Sequence, residues 1–325
     1  MPPRTDDVTM EVFRSLAAAN RLRGCAVAIG NFDGVHLGHQ RLFELARRLA
    51  DARGSAAVAL TFDPHPARVL RPRMAPPLLT PLGRKLELMA GAGLDAAVVQ
   101  TFDLEYAQRG AAAFVDGDLR DGLGAAEVVV GYDFTAGHER ARVEALAALL
   151  EARGAGLHVV QPVTVDGLTV SSTKIREFLL EGNVEAAALL LTRPHDVDGV
   201  VERGAGRGRA FGFATANLRT EALLPAVGVY AVEVRLPVRL GPGGVTESRD
   251  AAVHRGVCNV GVKPTVQADG PVVPEVHLLD FDGRDLYGER LRVAFLRRLR
   301  DERRFPSVDA LRAQIAADVA AARQG

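Results

Sequence analysis

The sequence is poor in the residues that several classes of protein require. It has no tryptophan and only 5% aromatic residues, which disfavours the stacking surfaces of single-stranded nucleic-acid binders. Its two cysteines, Cys25 and Cys258, are too few for a disulfide framework or a cysteine zinc site, and they favour a reducing, cytoplasmic setting. Its 40 basic and 40 acidic side chains cancel, which argues against nucleic acid or an anionic membrane as a partner. No apolar run approaches the roughly 20 residues of a membrane span.

Lysine is also scarce, because all the basic residues except Lys85, Lys174 and Lys263 are arginine. An arginine-rich composition is typical of a GC-rich genome, so a single arginine carries little information about function. Motifs must therefore be judged from several residue types at a defined spacing.

The pattern of hydrophobic residues changes along the chain near 192–196. The length of 325 residues suggests two domains, and we place them at 1–192 and 193–325. In the first, short apolar runs alternate with amphipathic helices, which predicts an α/β domain with a parallel sheet covered on both faces. The predicted strands are 25–29, 56–62, 96–102, 127–131 and 157–162, and the predicted helices are 37–53, 114–123 and 139–153.

The second predicted domain is rich in short β-type runs separated by glycine and proline. This pattern is typical of a small antiparallel barrel. A helix with an apolar stripe closes the chain at 307–323, and Ser307 stands where a cap is expected. The predicted strands are 197–201, 227–234, 253–260 and 273–279.

The segment GNFDGVHLGH at 30–39 follows a predicted strand and opens a predicted helix. Such a junction offers backbone N–H groups and the positive end of a helix dipole to an anion. His36 and His39 are three residues apart and project from one side of the first turn, and Gly38 leaves room for a phosphate. The alternatives are two surface histidines on an ordinary helix, or a pair of metal ligands.

The segment SSTKIR at 171–176 follows the last predicted strand of the first domain. Hydroxyl donors from Ser172 and Thr173 and charge from Lys174 and Arg176 suit a pyrophosphate group. The alternative is an ordinary capped helix N-terminus. If both segments follow strands of one parallel sheet, we expect them to meet at its carboxyl edge, where open α/β folds bind ligands.

The second domain begins with a glycine-rich, basic segment at 204–218 that lacks the Walker A pattern. Its backbone N–H groups could surround phosphates, or it could be a flexible hairpin loop. Thr215 and Asn217 alternate by two and would share one strand face. Their oxygens are ligands that Mg²⁺ accepts.

The string PEVHLLDF at 274–281 places Glu275 and His277 on one face of a predicted strand, opposite Val276 and Leu278. A carboxylate there could take the proton from an attacking hydroxyl. The alternative is a glutamate that faces solvent on a half-buried strand.

The combination of HxGH and SSTxIR resembles the nucleotidyltransferase superfamily. The fuller string GNFDGVHLGHQ, together with TFDPHP at 61–66, resembles the bacterial bifunctional riboflavin kinase/FAD synthetases. A third family block is present as GYDFTAG at 131–137, with Ala136 in place of phenylalanine and Arg142 in place of glycine.

The second half resembles the riboflavin kinase module of the same family, so the resemblance runs from about Arg23 to the C-terminus. It departs from the family pattern at Ala214, where proline is usual, and at Lys263, where arginine is usual. The matching segments are GAGRGR at 204–209, ATAN at 214–217, NVGVKPT at 259–265, EVHLLDF at 275–281, LYG at 286–288 and RDERRF at 300–305.

The resemblance implies a Rossmann-like nucleotidyltransferase domain followed by a β-barrel riboflavin kinase domain with a terminal helix. It implies two reactions: riboflavin is phosphorylated by ATP to FMN, and FMN is adenylylated to FAD with release of pyrophosphate. The implied cofactor is Mg²⁺ with ATP. The implied partners are these small molecules, with flavin-dependent apoproteins as recipients of the products.

The resemblance also assigns roles to individual residues. His36 and His39 would act on the ATP phosphates, Glu275 would be the general base on the ribityl 5′-hydroxyl, and Thr215 and Asn217 would hold Mg²⁺. For Asp63, a proline-flanked loop held by an Asx turn is the alternative. The residues implied to contact nucleotide or flavin are Gly30, Asn31, Phe32, Asp33, Gly38, Asp63, Asp133, Ser172, Thr173, Lys174, Arg176, Gly206, Arg207, Gly208, Arg300, Asp301 and Glu302.

Two other interpretations stay open from the sequence. One is a chain in which only one domain is active, with the adenylyltransferase favoured because the kinase motif carries Ala214. The other is a non-catalytic regulatory protein that binds flavin. The presence of a candidate general base argues against the second, since binding flavin alone needs none.

Overall fold

The computed structural model describes residues 10–203, 215–247, 251–262, 272–281 and 284–324. The chain forms two compact units. A division into domains at 192 and 193 stays a prediction. The first unit contains Met1–Pro76, Leu82–Val170 and Gly241–Val245, and the second contains Pro77–Pro81, Ser171–Leu240 and Thr246–Gly325.

The first unit is built on a six-stranded parallel sheet. The strand order is β1-β4-β3-β2-β5-β6, and all four residues of β2 are buried. The predicted parallel sheet is therefore confirmed, with one further edge strand, β1, that the sequence did not indicate. The strands are β1 (Glu11–Phe13), β2 (Ala26–Ile29), β3 (Ala57–Asp63), β4 (Ala96–Thr101), β5 (Glu127–Gly131) and β6 (Gly156–Val160).

Helices cover both faces of this sheet. Phe43 and Leu86 belong to one apolar cluster, and Phe114 and Leu146 belong to another. The predicted helix at 37–53 has the expected bounds, whereas 114–123 forms a π-helix. The helices are α1 (Leu37–Arg53), α2 (Pro66–Leu70), α3 (Leu82–Gly91), α4 (Leu104–Ala107), α5 (Ala111–Ala113), the π-helix Phe114–Leu123 and α6 (Val143–Glu151). Two 3-10 helices lie at Ala17–Leu22 and Pro72–Met74. A hairpin is formed by β7 (Thr164–Val165) and β8 (Leu168–Thr169).

The second unit contains a closed antiparallel barrel, as the sequence predicts. Its order is β10-β15-β14-β11-β16-β9, and β9 pairs with β10 to close it. The barrel strands are β9 (His195–Glu202), β10 (Ala216–Arg219), β11 (Gly228–Leu236), β14 (Ala252–Val262), β15 (Val272–Leu278) and β16 (Arg290–Arg300); β12 (Arg239–Leu240) and β13 (Thr246–Glu247) pair separately.

The predicted terminal helix is also present as α9 (Val308–Arg323). The Ser307 Oγ accepts a hydrogen bond from the Ala310 N–H at 3.2 Å, so Ser307 caps it. Ala322 packs on the barrel in one cluster with Val229. Two further helices precede the barrel, α7 (Ser172–Glu181) and α8 (Val184–Leu191).

None of the helices within the described ranges is long and apolar enough to cross a membrane.

Candidate functional site

The turn after β2 has a strained backbone. Phe32 and Val35 have φ values of +50° and +43°, a region that costs most for a β-branched residue such as valine. The Phe32 ring is fully buried and lies against His39 at 5.3 Å and Phe43 at 4.7 Å between ring centroids. The strain is therefore balanced by buried aromatic packing at the start of α1.

Two glycines of this segment stand where an added side chain would be crowded, Gly30 more tightly than Gly38. A Cβ atom on Gly30 would lie 2.9 Å from a ring carbon of Phe32, closer than carbon atoms approach. A Cβ atom on Gly38 would lie 3.2 Å from the His36 ring. The sequence interpretation gave Gly38 the task of leaving room for phosphate, and the structure adds a packing reason.

The two histidines form one stacked pair at the N-terminus of α1. Their ring centroids are 3.6 Å apart with an interplanar angle of 17°. The His36 Nδ1 accepts a hydrogen bond from the His39 backbone N–H at 3.4 Å, so His36 is the N-cap of α1. An accepting Nδ1 places the proton of a neutral His36 ring on Nε2. Only 6% of His36 is exposed and His39 is half-buried, so the pair is not two surface histidines.

The carboxyl ends of β3, β2 and β5 lie side by side, which brings three predicted aspartates to one edge. Asp33 follows β2 and is buried, with 3% exposed. Asp63 ends β3 and Asp133 follows β5, and both are exposed. These positions fit an edge that receives a ligand, and the individual roles stay predictions.

His65 has a local structural task. Its Nδ1 accepts a hydrogen bond from the Ala67 backbone N–H at 3.1 Å and caps α2. Beside this loop, the Asp63 backbone oxygen accepts from the Phe102 N–H at 3.2 Å. The side chain of Asp63 stays exposed at the end of the strand.

Ala136, where the family has phenylalanine, is buried in the first unit. Its backbone N–H donates to the Ala141 carbonyl at 2.9 Å and its carbonyl accepts from Ala141 at 2.8 Å. Its side chain is 2% exposed and belongs to the apolar cluster of Phe114. The block 131–137 is thus anchored through its backbone although the larger side chain is missing.

The segment 171–176 begins α7 in the second unit. The Ser171 Oγ accepts from the Lys174 N–H at 3.1 Å and caps the helix. The Lys174 Nζ donates to Glu177 at 3.0 Å, and the Arg176 Nε donates to the Pro77 carbonyl at 2.8 Å. A capped helix start is therefore observed, and the pyrophosphate roles of Ser172, Thr173, Lys174 and Arg176 stay predictions.

Three polar residues form a row across neighbouring barrel strands. Asn217 on β10 pairs with Glu275 on β15, which pairs with Asn259 on β14. Directly paired residues project to the same face of a sheet, and Glu275 is half-buried while Val276 beside it is fully buried. The predicted alternation of β15 is confirmed, and the row lies on the outer face of the barrel.

Asn217 has an oxygen that fits a metal ion. The residue is 7% exposed, and its Oδ1 is buried without a hydrogen-bond partner among the described residues. A buried unpaired acceptor is uncommon and calls for an occupant, and Mg²⁺ takes oxygen ligands. Thr215, the other predicted ligand, is exposed and directly precedes β10.

The three residues of the segment 300–302 have different side-chain partners. The Arg300 guanidinium binds Asp318 of α9 through Nε at 3.0 Å and Nη2 at 2.8 Å, so it anchors the terminal helix. Asp301 is exposed and pairs with Arg298 at 3.0 Å. The Glu302 Oε1 accepts from the Asn259 Nδ2 at 3.4 Å, which joins Glu302 to the polar row. Flavin contact by these three predicted residues stays a prediction.

Several predicted residues lie outside the described part of the chain. They are Gly206, Arg207 and Gly208. The two residues that depart from the family pattern in this half, Ala214 and Lys263, also lie outside it.

The structure adds two candidates that the sequence reasoning did not name as site residues. Asn259 connects Glu275 and Glu302, and its place in the NVGVKPT segment on a strand was a usable signal. Lys85 on α3 is 6% exposed and donates from Nζ to the Asn31 carbonyl at 3.0 Å. Its only sequence signal is its rarity, as one of three lysines.

Comparison with known proteins gives each half of the chain a match. The family model described as FAD synthetase matches residues 18–174, and the one described as riboflavin kinase matches residues 191–325. A crystal structure described as a macrolide-efflux protein from Streptococcus pneumoniae has a TM-score of 0.82 at 29% identity and covers 97% of this chain and 99% of that one. That description concerns the other protein, and what the two chains share here is the fold of the covered residues.

Three curated relatives carry one name, bifunctional riboflavin kinase/FMN adenylyltransferase. The Pseudomonas fluorescens protein is 40% identical over 303 residues, covering 93% of each chain. The Bacillus subtilis protein is 35% identical, covering 90% of this chain and 89% of that one. The Escherichia coli K12 protein is 36% identical, covering 93% and 92%. Since both halves match and the identity extends along nearly the whole length, the chain belongs to the family of bifunctional riboflavin kinase/FMN adenylyltransferases.

Proposed function

We propose that this chain makes both flavin cofactors in sequence, phosphorylating riboflavin with ATP to give FMN and then joining FMN to the adenylyl group of a second ATP to give FAD and pyrophosphate. The observation that carries the proposal is that each half of the chain matches its own family model and holds its own set of reactive groups. The stacked histidines stand in the first unit and the Asn217–Glu275–Asn259 row in the second.

In the barrel, Glu275 is the proposed general base. Its carboxylate is half-buried between two asparagines of neighbouring strands. It accepts the proton of the ribityl 5′-hydroxyl as that oxygen attacks the γ-phosphorus and the bond from that phosphorus to ADP breaks. The pKa of the nearby Cys258 thiol is raised by its burial and by the charge of Glu275. Cys258 therefore stays a neutral thiol and does not compete as a nucleophile.

Mg²⁺ with ATP is the proposed cofactor of the kinase. Asn217 would hold it through the buried Oδ1, together with the Thr215 hydroxyl. When bound, the ion neutralises phosphate charge. The polar groups at 300–302 and the glycine-rich segment at 204–209 are proposed to enclose flavin and nucleotide.

In the first unit, the stacked histidines and the N-terminus of α1 are proposed to hold the ATP phosphates. The FMN phosphate oxygen attacks the α-phosphorus, and the bond to pyrophosphate breaks. Because no covalent enzyme intermediate is needed, positioning and charge stabilisation supply the catalysis. The remaining residues of 30–33, Gly38, Asp63 and Asp133 are proposed substrate contacts. The proposed pyrophosphate groups, Ser172, Thr173, Lys174 and Arg176, belong to the start of α7 in the second unit.

We also place the protein in the cytoplasm and propose flavin-dependent apoproteins as recipients. Both cysteines, Cys25 and Cys258, are free and buried, which suits a reducing compartment.

The test is an incubation of the purified chain with riboflavin, Mg²⁺ and ATP, followed by separation of riboflavin, FMN and FAD. Successive appearance of FMN and FAD is expected. Formation of FMN without FAD, or of FAD only from added FMN, would show that a single unit is active. If neither flavin is converted, the proposed activities are wrong and flavin binding alone is left.

A further inference from the structure

A buried lysine lies beneath the strained turn of the first unit, and the reactions described so far give it no task. The Lys85 Nζ donates to the Asn31 carbonyl at 3.0 Å and to the Thr61 Oγ1 at 3.2 Å. The Thr61 hydroxyl donates to the same carbonyl at 3.3 Å. One backbone oxygen at the entry of the turn is therefore held by two donors from α3 and β3.

The position of that oxygen matters because the strained backbone begins at the next residue. Phe32 and Val35 both have left-handed backbone, and such strained residues persist only where their surroundings fix them. The first histidine of the stacked pair comes directly after Val35. A turn released at Asn31 can relax, and the histidines at the start of α1 would move with it.

The protonation of Lys85 is governed by its burial and by two carboxylates of this edge. Burial lowers the pKa of Lys85 to about 8, and the negative charges of Asp33 and Asp63 oppose that fall. These two carboxylates are the charged groups that act on it from the turn and from the end of β3. Lys85 is thus mainly protonated at neutral pH and supplies a cation that interacts electrostatically with Asp33 and Asp63.

We infer that Lys85 is a positioning residue for adenylyl transfer: it holds the Asn31 carbonyl and so keeps the turn, and with it His36 and His39, in the geometry that stabilises the charge developing on the ATP phosphates during transfer. The inference rests on the proposed function of the first unit. It assigns Lys85 no contact with substrate.

The first test replaces the ammonium group and keeps most of the side-chain volume. Lys85→Met is expected to lower kcat for FAD formation from FMN about 100-fold, the effect of a misplacement near 1 Å, with little change in KM for ATP. Riboflavin phosphorylation by the same chain should stay unchanged. Arg47→Met is the matched control, because Arg47 is a partly buried cation of the same unit that pairs with Asp95 before β4. It should leave FAD formation intact.

The second test separates positioning from a purely structural role. In the wild type, kcat/KM for FAD formation should decline above about pH 8 as Lys85 loses its proton. Lys85→Arg keeps a cation at every pH used, because the guanidinium pKa exceeds about 12. Its alkaline limb should therefore move to higher pH, whatever its absolute activity.

Hydrogen exchange supplies a readout that does not depend on activity. In Lys85→Met, amides of 31–35 should exchange faster while those of β2 and β3 stay protected. If instead the strands lose protection, Lys85→Met has disturbed the fold, and the pH profile of Lys85→Arg then decides between a positioning role and a purely structural role. A Lys85→Met chain with wild-type kcat, or a Lys85→Arg chain with an unchanged alkaline limb, overturns the inference. A wild-type chain that forms no FAD from FMN overturns the proposed function instead.

Discussion

The two units hold their candidate groups by different means. In the first, the groups lie on a turn with left-handed Phe32 and Val35, where Gly30 has no room for a side chain. In the second, Asn217 and Glu275 lie on regular strands whose pairing fixes them. The geometry of a strained turn depends on the packing around it. The geometry of polar residues on paired strands depends on strand register, which the whole barrel maintains.

This difference predicts how each site responds to substitution. Small changes in side-chain volume next to the turn should lower FAD formation strongly, because close-packed interiors transmit displacement. The barrel site should tolerate such changes and respond mainly to loss of its own polar atoms.

The largest effect is expected from Glu275→Gln. This variant keeps the shape of the side chain and removes the proton acceptor, so FMN formation should fall by up to about 10⁴-fold. FAD formation from supplied FMN should persist. Glu233→Gln on β11, where Glu233 pairs with Arg235, is the control and should leave both rates near wild type. Loss of both activities in a folded Glu275→Gln chain would contradict two separate sites.

The converse variant in the first unit is His39→Ala. Removing one of the stacked rings should lower FAD formation about 10²–10³-fold, the usual cost of a lost group that stabilises developing charge. Riboflavin phosphorylation should be unaffected. His158→Ala, in which the lost ring binds Glu127 in β5, is the matched control. Equal losses of FAD formation in the two variants would contradict a specific role of His39 in adenylyl transfer.

The dependence of the turn on packing is tested by Gly30→Ala. The added methyl group would lie 2.9 Å from the Phe32 ring, so the turn must move and FAD formation should fall about 100-fold. Gly91→Ala is the control, because nothing lies within 4 Å of a Cβ atom there. Wild-type FAD formation by Gly30→Ala would mean that the turn adapts and that its geometry is not critical.

A smaller effect is expected where the barrel anchors its terminal helix. Asp318→Ala removes the carboxylate that binds the Arg300 guanidinium, which should lower the free energy of unfolding of the second unit by about 2 kcal/mol. Below the unfolding transition, riboflavin phosphorylation should remain. Denaturant unfolding followed by loss of kinase activity measures this, and an immediate loss of activity in the folded chain would instead favour a direct flavin role for the 300–302 segment.

The sequence predicts elements whose pattern is local. Helix α1 and β5 have the predicted bounds because their apolar spacing and end residues agree. Strand β16 was missed because arginines interrupt its apolar alternation. One of them, Arg292, is 3% exposed and is compensated by Asp198 at 2.6 Å, a partner that only the folded barrel reveals.

The candidate sites divide in the same way. The histidine pair is visible as a motif because its members are three residues apart and stack on each other. Glu275 is visible through the string EVHLLDF, although its partners Asn217 and Asn259 lie on other strands. The contacts of Lys85 join it to residues 54 and 24 positions away. No local pattern encodes such contacts, so a buried lysine beneath the turn could be found only from the structure.

The central claim, that one chain holds two separate sites for two successive reactions, is tested most directly by complementation. Glu275→Gln and His39→Ala proteins would each be incubated with riboflavin, ATP and Mg²⁺, alone and mixed. The account predicts very slow FAD formation by either variant alone and much faster formation by the mixture, because the His39→Ala protein releases FMN that the Glu275→Gln protein adenylylates. A mixture that forms FAD no faster than either variant alone, although the wild type forms FAD under the same conditions, would contradict the account.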